Sequence, residues 1–366
     1  MQSKLIKGLA AIAAGALVFA AAASRTHVTA AAPGAGSVMQ SIGPLAFGPD
    51  GTLFAADNKA ATIYALDLGA QATGTKAGAG DVSGIDQKIA ALLGTDVAAI
   101  AVTDLAVHPK THNAYIAVMR GASADAKPAL LRVDGDGTIA PIALDTVTFT
   151  SVALSNAPAA AEGSRNPRAD AVTDMAFVSG KLIVAGLSNE EFASKLRSFA
   201  YPFAAADPGT SVEIFHGNHG RLETRAPVYT FIPYTIDGKP YVIASYTCTP
   251  LVKFPIDSLT GSKVLGTTIA ELGAGNRPLD MILYKKDGKE YLLMSNNSRG
   301  VMKIPTAGFG AATGITAKVT SETAGIPYEK ITAMQGIEQM DLLDAQRSIV
   351  LARAGAGLNL SAVALP

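Results

Sequence analysis

The chain has 366 residues, close to half of them apolar and 16% charged, and its 30 basic residues balance 30 acidic ones for a formal net charge of zero. That composition can bury a large core, and without a basic block it argues against nucleic acid or an anionic membrane surface as the main partner. A single cysteine, Cys248, rules out an internal disulfide, so stability has to come from burial and sheet pairing.

Lys4 and Lys7 precede the apolar run "LAAIAAGALVFAAAA", and small residues suited to a signal peptidase follow around positions 21–24. This pattern predicts a signal peptide over residues 1–23. The run is short for a comfortable bilayer span, which disfavours an uncleaved anchor. The stretch "TAAAPGAGS" predicts a flexible leader, residues 24–36, into one domain over residues 37–366. The expected location is the periplasm or the cell exterior, with no membrane span in the mature chain.

Beyond the leader, six related units follow one another. Each is an apolar strand, a turn, a second strand, a polar break and a third strand. The first is "GPLAFGPDGTLFAADNKAATIYALDL". A short helical pattern, "GIDQKIAALLGT", separates it from the second, "TDLAVHPKTHNAYIAVMRG", which continues through "PALLRVDGDG". The third is "TDMAFVSGKLIVAGLSNEEFASKLRSFAYPF". The fourth and fifth, "YTFIPYTIDGKPYVIASYTCTPLVKFP" and "PLDMILYKKDGKEYLLMSNNSRGVMKIP", both place "DGK" between two apolar runs, a strong hairpin signal. The last is "EQMDLLDAQRSIVLARAGAGLNLSAVALP".

The first strands begin near Leu45, Leu105, Met175, Phe231, Met281 and Met340. "TVTFTSVAL", "TSVEIFHG" and "GTTIAELG" supply candidate fourth strands. Six units of four antiparallel strands predict an all-β, six-bladed β-propeller, closed by pairing residues 37–42 with the last blade. Two β-sandwiches are the competing architecture, but sandwiches do not require a repeated hairpin at this period.

The repeated "PLAFGPDGTLFAAD"-like unit resembles the six-bladed propeller superfamily that includes TolB-like, NHL-type and gluconolactonase-like proteins. The resemblance is architectural and covers most of residues 40–366. The absence of tryptophan excludes the Trp-Asp repeat type and the Trp-bearing motifs of pyrroloquinoline quinone dehydrogenases, and no CxxCH string is present for covalent haem.

"VTDLAV", "VTDMAF" and "RPLDMILY" each place an aspartate just before an inner strand: Asp104, Asp174 and Asp280. In a propeller these positions converge on one mouth of the central channel, with Thr230 and Glu338 or Gln339 at related places. Carboxylates gathered there repel one another unless something neutral or positive intervenes. One expectation is a cation, Ca²⁺ before Zn²⁺, held by the three aspartates. Gluconolactonase-like relatives hold a cation at this place, but their Glu/Asn/Asn/Asp pattern has no residue-by-residue match here. A second expectation is structural: an aspartate before an inner strand caps backbone N–H groups and ties blade to blade. A third is direct contact of the aspartates with an organic ligand.

The sharpest break in the repeat is "FHGNHGRLETRAPVYTF", residues 215–231. It holds His216, His219, Arg221, Glu223 and Arg225, and is expected on the same face as the aspartates. The arginines suit a carboxylate or phosphate. The two imidazoles with Glu223 suit a transition metal, and either histidine suits a general base. Tyr246, Cys248, Arg277, Asn296, Asn297 and Arg299 belong to breaks facing the same way, and "GSRNPRAD", residues 163–170, is a lesser candidate for the rim.

The function expected from these residues is an exported propeller binding a small polar or anionic ligand at one mouth of its channel, with a divalent cation as an adjunct. The alternatives are a metal-dependent hydrolase or lactonase and a protein-interaction scaffold. No G-x-S-x-G string supports a serine nucleophile.

Overall fold

The computed structural model describes residues 28–30, 39–121, 125–161, 163, 166–248 and 250–366. The expected signal peptide lies outside the described residues, as does the expected leader apart from Val28–Ala30. Six antiparallel sheets form a ring, and the protein is a six-bladed β-propeller. Numbered in chain order, the blades have as their inner strands Leu45–Phe47, Ile100–Val107, Asp174–Val178, Thr230–Ile236, Pro278–Lys286 and Ile337–Leu342. All six include or adjoin the positions expected from sequence.

The "DGK" hairpins form as their chemistry dictates. Asp237 and Gly238, and again Asp287 and Gly288, take φ between 49° and 75°, the positive values that a two-residue turn matching strand twist requires.

The order of the blades around the axis differs from their order in the chain. One apolar cluster fills each seam between neighbouring blades: 1 with 3, 3 with 4, 4 with 5, 5 with 6, 6 with 2, and 2 with 1. The ring therefore reads 2-1-3-4-5-6. Having built blade 2, the chain must pass blade 1 to reach blade 3. It does so as the strand Thr148–Ala153, which pairs with Thr62–Asp67 and serves as the fourth strand of blade 1. Val28–Ala30 adds a short strand outside it.

Closure likewise differs from expectation. Blade 6 has three strands, Ile337–Leu342, Arg347–Ala354 and Gly357–Ala364. Residues 39–42 form no strand and do not pair with it, and 37–38 lie outside the described residues. The fourth place is taken by residues 81–84, from the connection between blades 1 and 2. Val82 and Leu360 exchange both backbone hydrogen bonds at 2.9 and 3.0 Å, Asp81 Oδ1 accepts from Ala362 N at 2.7 Å, and Asn359 Oδ1 accepts from Gly84 N at 2.8 Å.

The expected helix then runs over Ile85–Leu92. Its Ile85 and Ile89 are fully buried between Leu105 and Ile116 of blade 2 and Leu351 and Leu358 of blade 6. The helix thus wedges the closing seam. Ile89→Ala should lower the unfolding free energy by about 2–5 kcal/mol through the cavity it leaves. Leu92→Ala, on the exposed side of the same helix, should change it by no more than about 0.5 kcal/mol. Urea or thermal unfolding of the two variants checks the contrast.

Candidate functional site

The repeated aspartate, preceded by threonine in blades 2 and 3 and by Leu279 in blade 5, sits where an inner strand enters the channel. In blades 2 and 5 a bulge at this point shifts the register, between Val102 and Asp104 and between Pro278 and Asp280. A bulge takes backbone groups out of the ladder, and those groups need other partners.

The aspartates supply them. Asp104 Oδ1 accepts from Leu105 N at 2.8 Å and its Oδ2 from Leu45 N of blade 1 at 2.5 Å. Asp174 accepts from Met175 N and from Phe231 N of blade 4, both at 2.7 Å. Asp280 accepts from Met281 N and from Met340 N of blade 6, again both at 2.7 Å. Thr103 Oγ1 donates to Ile42 O at 2.9 Å across the same seam as Asp104, and Thr173 Oγ1 donates to Val228 O across the seam of Asp174. Each of the three aspartates is a staple to a neighbouring blade, joined in blades 2 and 3 by the threonine before it, as the structural expectation describes.

A fourth carboxylate, Asp341, lies one pleat further down the channel. It accepts from Leu342 N and from Val107 N of blade 2, both at 2.7 Å. Its place within "EQMDLL" is offset from the other three, so the alignment of units does not reveal it. Gln339 occupies the aligned position in blade 6. With its amide nitrogen turned toward the carboxylates, it donates to Asp104 Oδ1 at 2.9 Å and Asp280 Oδ2 at 3.2 Å.

The four carboxylates line a channel of about 320 Å³ between inner-strand residues such as Phe47, Phe177 and Ile282. Withdrawal from water raises the pKa of all four. Asp174 rises to about 7 and Asp341 to about 6, while Asp104 and Asp280 lie well above the usual carboxylate range, Asp104 pushed further by the charges of Asp174 and Asp341 and Asp280 by those of Asp104, Asp174 and Asp341.

Above this ring the mouth opens into a hollow of about 490 Å³. Asp57 shapes one wall, its carboxylate fully buried and accepting from Gln40 N, Ser41 N, Ser41 Oγ and Ala60 N. Asn58 ties blade 1 to the loop before blade 3 through Ala169 O, Val172 O and Val172 N. The residues exposing charge to the hollow are Lys59, Arg168, Asp170 and Arg277. Residues 166 and 168–170 thus belong to the rim, whereas the His-rich loop, ranked above them from sequence, does not line this hollow.

Arg277 is exposed, and its guanidinium lies over the Tyr229 ring, 5.3 Å from the centroid. Asn297 holds its backbone from both directions, at 2.8 and 3.0 Å. Among the described residues no carboxylate pairs with the guanidinium within 4.0 Å. Burial raises the Asp170 carboxyl, and the charge of Arg277 partly opposes that rise. A second hollow of about 800 Å³ adjoins the first, sharing Arg277, Leu279 and Gln339 and lined also by Asn296, Asn297 and Lys330.

The remaining candidates lie elsewhere. Arg299 pairs with Glu322 at 2.7 Å and donates to Ala274 O. Arg221 pairs with Glu223 at 3.3 Å, and Arg225 is exposed outside both hollows. Tyr246 is buried in the seam between blades 3 and 4.

His216 ends the strand Thr210–His216 of blade 3, and His219 lies in the turn that follows. Glu223 sits behind both imidazoles, its Oε2 2.9 Å from His216 Nδ1 and its Oε1 2.6 Å from His219 Nδ1. Burial raises the Glu223 carboxyl, but the hydrogen bonds from the two histidines outweigh it and leave the group below its usual range. Burial lowers His216. Glu271, fully buried at the end of a blade 4 strand, accepts from Gly217 N and Asn218 Nδ2, and burial raises it to about 7.

No protein-family model matches this chain, and no curated protein does. Solved structures match it along most of its length. An aldose sugar dehydrogenase from Streptomyces coelicolor in its PQQ-bound form is 12% identical, with a TM-score of 0.30 over 93% of this chain and 99% of that one. A putative oxidoreductase (glucose dehydrogenase) from Thermus thermophilus is 12% identical, with a TM-score of 0.36 over 92% and 100%. A chain of the mitotic checkpoint complex is 10% identical, with a TM-score of 0.36 over 100% and 99%. At this distance the likenesses carry no ligand and no residue role to this chain.

The raised carboxyls predict an unusual pH response. A group whose folded pKa lies above its unfolded value holds its proton in the folded state alone between the two. Its contribution is complete below the unfolded pKa and is lost as pH rises through the folded one. For Asp174 the window runs from 3.8 to about 7. In thermal unfolding between about pH 5 and about pH 7.5, the parent chain should gain stability toward the acid end relative to Asp174→Asn, which has no proton to exchange. Parallel curves for the two would overturn the assignment.

Proposed function

We propose that the protein binds a small organic anion at the mouth of its channel, with the acid group on Arg277 and hydroxyl groups toward Asp170 and Gln339. The observation that carries this reading is the state of Arg277. A guanidinium is a bidentate donor for carboxylate or phosphate. This one is stacked on Tyr229, held by Asn297 from its backbone, open to two adjoining hollows and without an acidic partner among the described residues. Arg221 and Arg299, by contrast, are already paired.

The hollow's size suits a ligand of metabolite scale. The ring beneath it consists of carboxyls that burial drives toward their neutral forms, so it repels an incoming anion less than four fixed charges would. The basic start and apolar run of residues 1–23 support export, and the proposed binder accordingly works in the periplasm or outside the cell.

The test is a thermal-shift screen of the purified chain against sugar acids, hydroxy acids and sugar phosphates. A ligand at about 100 times its Kd stabilises by about 2.7 kcal/mol. Arg277→Ala should abolish the shift from whichever acid produces it, while Arg221→Ala leaves it intact. A screen in which no acid shifts the melting temperature, or a shift that survives Arg277→Ala, would overturn the proposal.

A further inference from the structure

Away from the channel, His216, His219 and Cys248 bring one ligand atom each within 4.8 Å of one another. They are the one such trio of His, Cys, Asp or Glu side chains among the described residues. The three come from two blades: the histidines from the end of the outer strand region of blade 3, and Cys248 from the loop after the second strand of blade 4.

Glu223 decides which atoms they offer. It engages the Nδ1 atoms of both imidazoles, fixing their orientation and leaving the two Nε2 atoms as donors. A carboxylate behind an imidazole is a recurrent support of metal-bound histidine; here one carboxylate serves two. The rings stand 3.9 Å apart between centroids, tilted by 37°. His216 is 2% exposed, and its Nε2 has no hydrogen-bond partner among the described residues. A buried imidazole nitrogen without a partner carries a cost that a bound ion removes.

A fourth donor stands beside His216. Glu271 Oε2 lies 3.8 Å from His216 Nε2, and the carboxylate is oriented by Gly217 N at 2.5 Å and Asn218 Nδ2 at 3.1 Å. An ion bound tetrahedrally at about 2.0–2.3 Å spaces its donors roughly 3.5 Å apart, close to this separation. His219 and Cys248 retain partial exposure, so an ion has a path from solvent.

We propose that His216, His219, Cys248 and Glu271 form a zinc site that clamps the outer part of blade 3 to blade 4, with Glu223 as the positioning residue. Two imidazoles, a thiolate and one carboxylate suit a borderline ion over Ca²⁺ or Mg²⁺, which take all-oxygen sets. The site is distinct from the channel ring and from Arg277, and it stands whether or not the mouth binds an anion.

The experiment uses the full chain, stripped with a chelator and titrated with Co²⁺ as a spectroscopic stand-in, then with Zn²⁺ in competition. One equivalent of Co²⁺ should give tetrahedral d–d bands and a thiolate-to-metal charge-transfer band, and Zn²⁺ should bleach both. Cys248→Ser should lose the charge-transfer band, and His219→Ala, at a partly exposed position, should lose tight binding without loss of folded structure in circular dichroism. Glu223→Gln should weaken binding by about 10–100-fold with all four ligands present. Zn²⁺ should raise the melting temperature of the parent chain and not of His219→Ala. Failure of a modest excess of Zn²⁺ to displace the bound Co²⁺ would overturn the zinc assignment. Absence of a thiolate band, or one-to-one binding that survives both Cys248→Ser and His219→Ala, would overturn the site.

Discussion

The propeller depends on how it treats the backbone N–H groups at the lip of its channel. The inner strands of blades 2, 5 and 6 begin where the ladder is interrupted, and water is scarce at the lip. An unpaired N–H in such a place costs about 1–3 kcal/mol. Carboxylates at the strand entrances meet that demand twice over, each accepting from its own strand and from the next blade. The four ties run from blade 2 to 1, 3 to 4, 5 to 6 and 6 to 2. Where no aspartate serves, other groups sew the seam: Asn58 between blades 1 and 3, and the Cys248 N–H on Asn276 O between blades 4 and 5.

This frame has an electrostatic consequence for the site above it. Ionised together in about 320 Å³, four carboxylates would set a strong negative field under the mouth. Burial instead raises their pKa values, and Gln339 spans Asp104 and Asp280 with a neutral donor. Arg277 is then the local charge that an approaching molecule meets on the blade 5 side. Frame and site are thereby coupled: a substitution in the ring alters both the seams and the field in which Arg277 acts.

The six hairpins were legible because their signals are local. Alternating apolar residues and the Asp-Gly turns in "TIDGK" and "KKDGK" act within a few residues of each other. The staples were legible as one of three readings, because a backbone-capping carboxylate, one that ligates a cation and one that contacts an organic ligand share the same position. The order of the blades was not legible. Inner strands of different blades present similar apolar faces, so nothing in Leu45 or Leu105 says which neighbour it takes. The clue lay in the surplus chain between blades 1 and 2 and in the spare strand "TVTFTSVAL". The site residues divide along the same line. The His216 and His219 pair stands out in the sequence, and so does Arg277 at a break. Glu271 does not, because a glutamate ending a strand carries no local mark, and its meeting with His216 is created by the seam between blades 3 and 4. Arg299 illustrates the reverse: its sequence setting suggests a free cation, and a distant glutamate occupies it.

Residues 81–84 and the strand Gly357–Ala364 are partners separated by 275 and 281 positions at Gly84–Asn359 and Asp81–Ala362. Contacts of such sequence separation incur the largest loop-closure entropy and form late. Until the strands of blade 6 are available, the flank of blade 2 that packs against them lacks that partner. The nascent molecule is an open arc with two complementary ends, and two such arcs meeting end to end would satisfy the same hydrogen bonds between chains. The wedge helix Ile85–Leu92, already attached near one end, keeps the apolar flank of blade 2 partly covered in the interval and so favours the intramolecular ring over its domain-swapped counterpart.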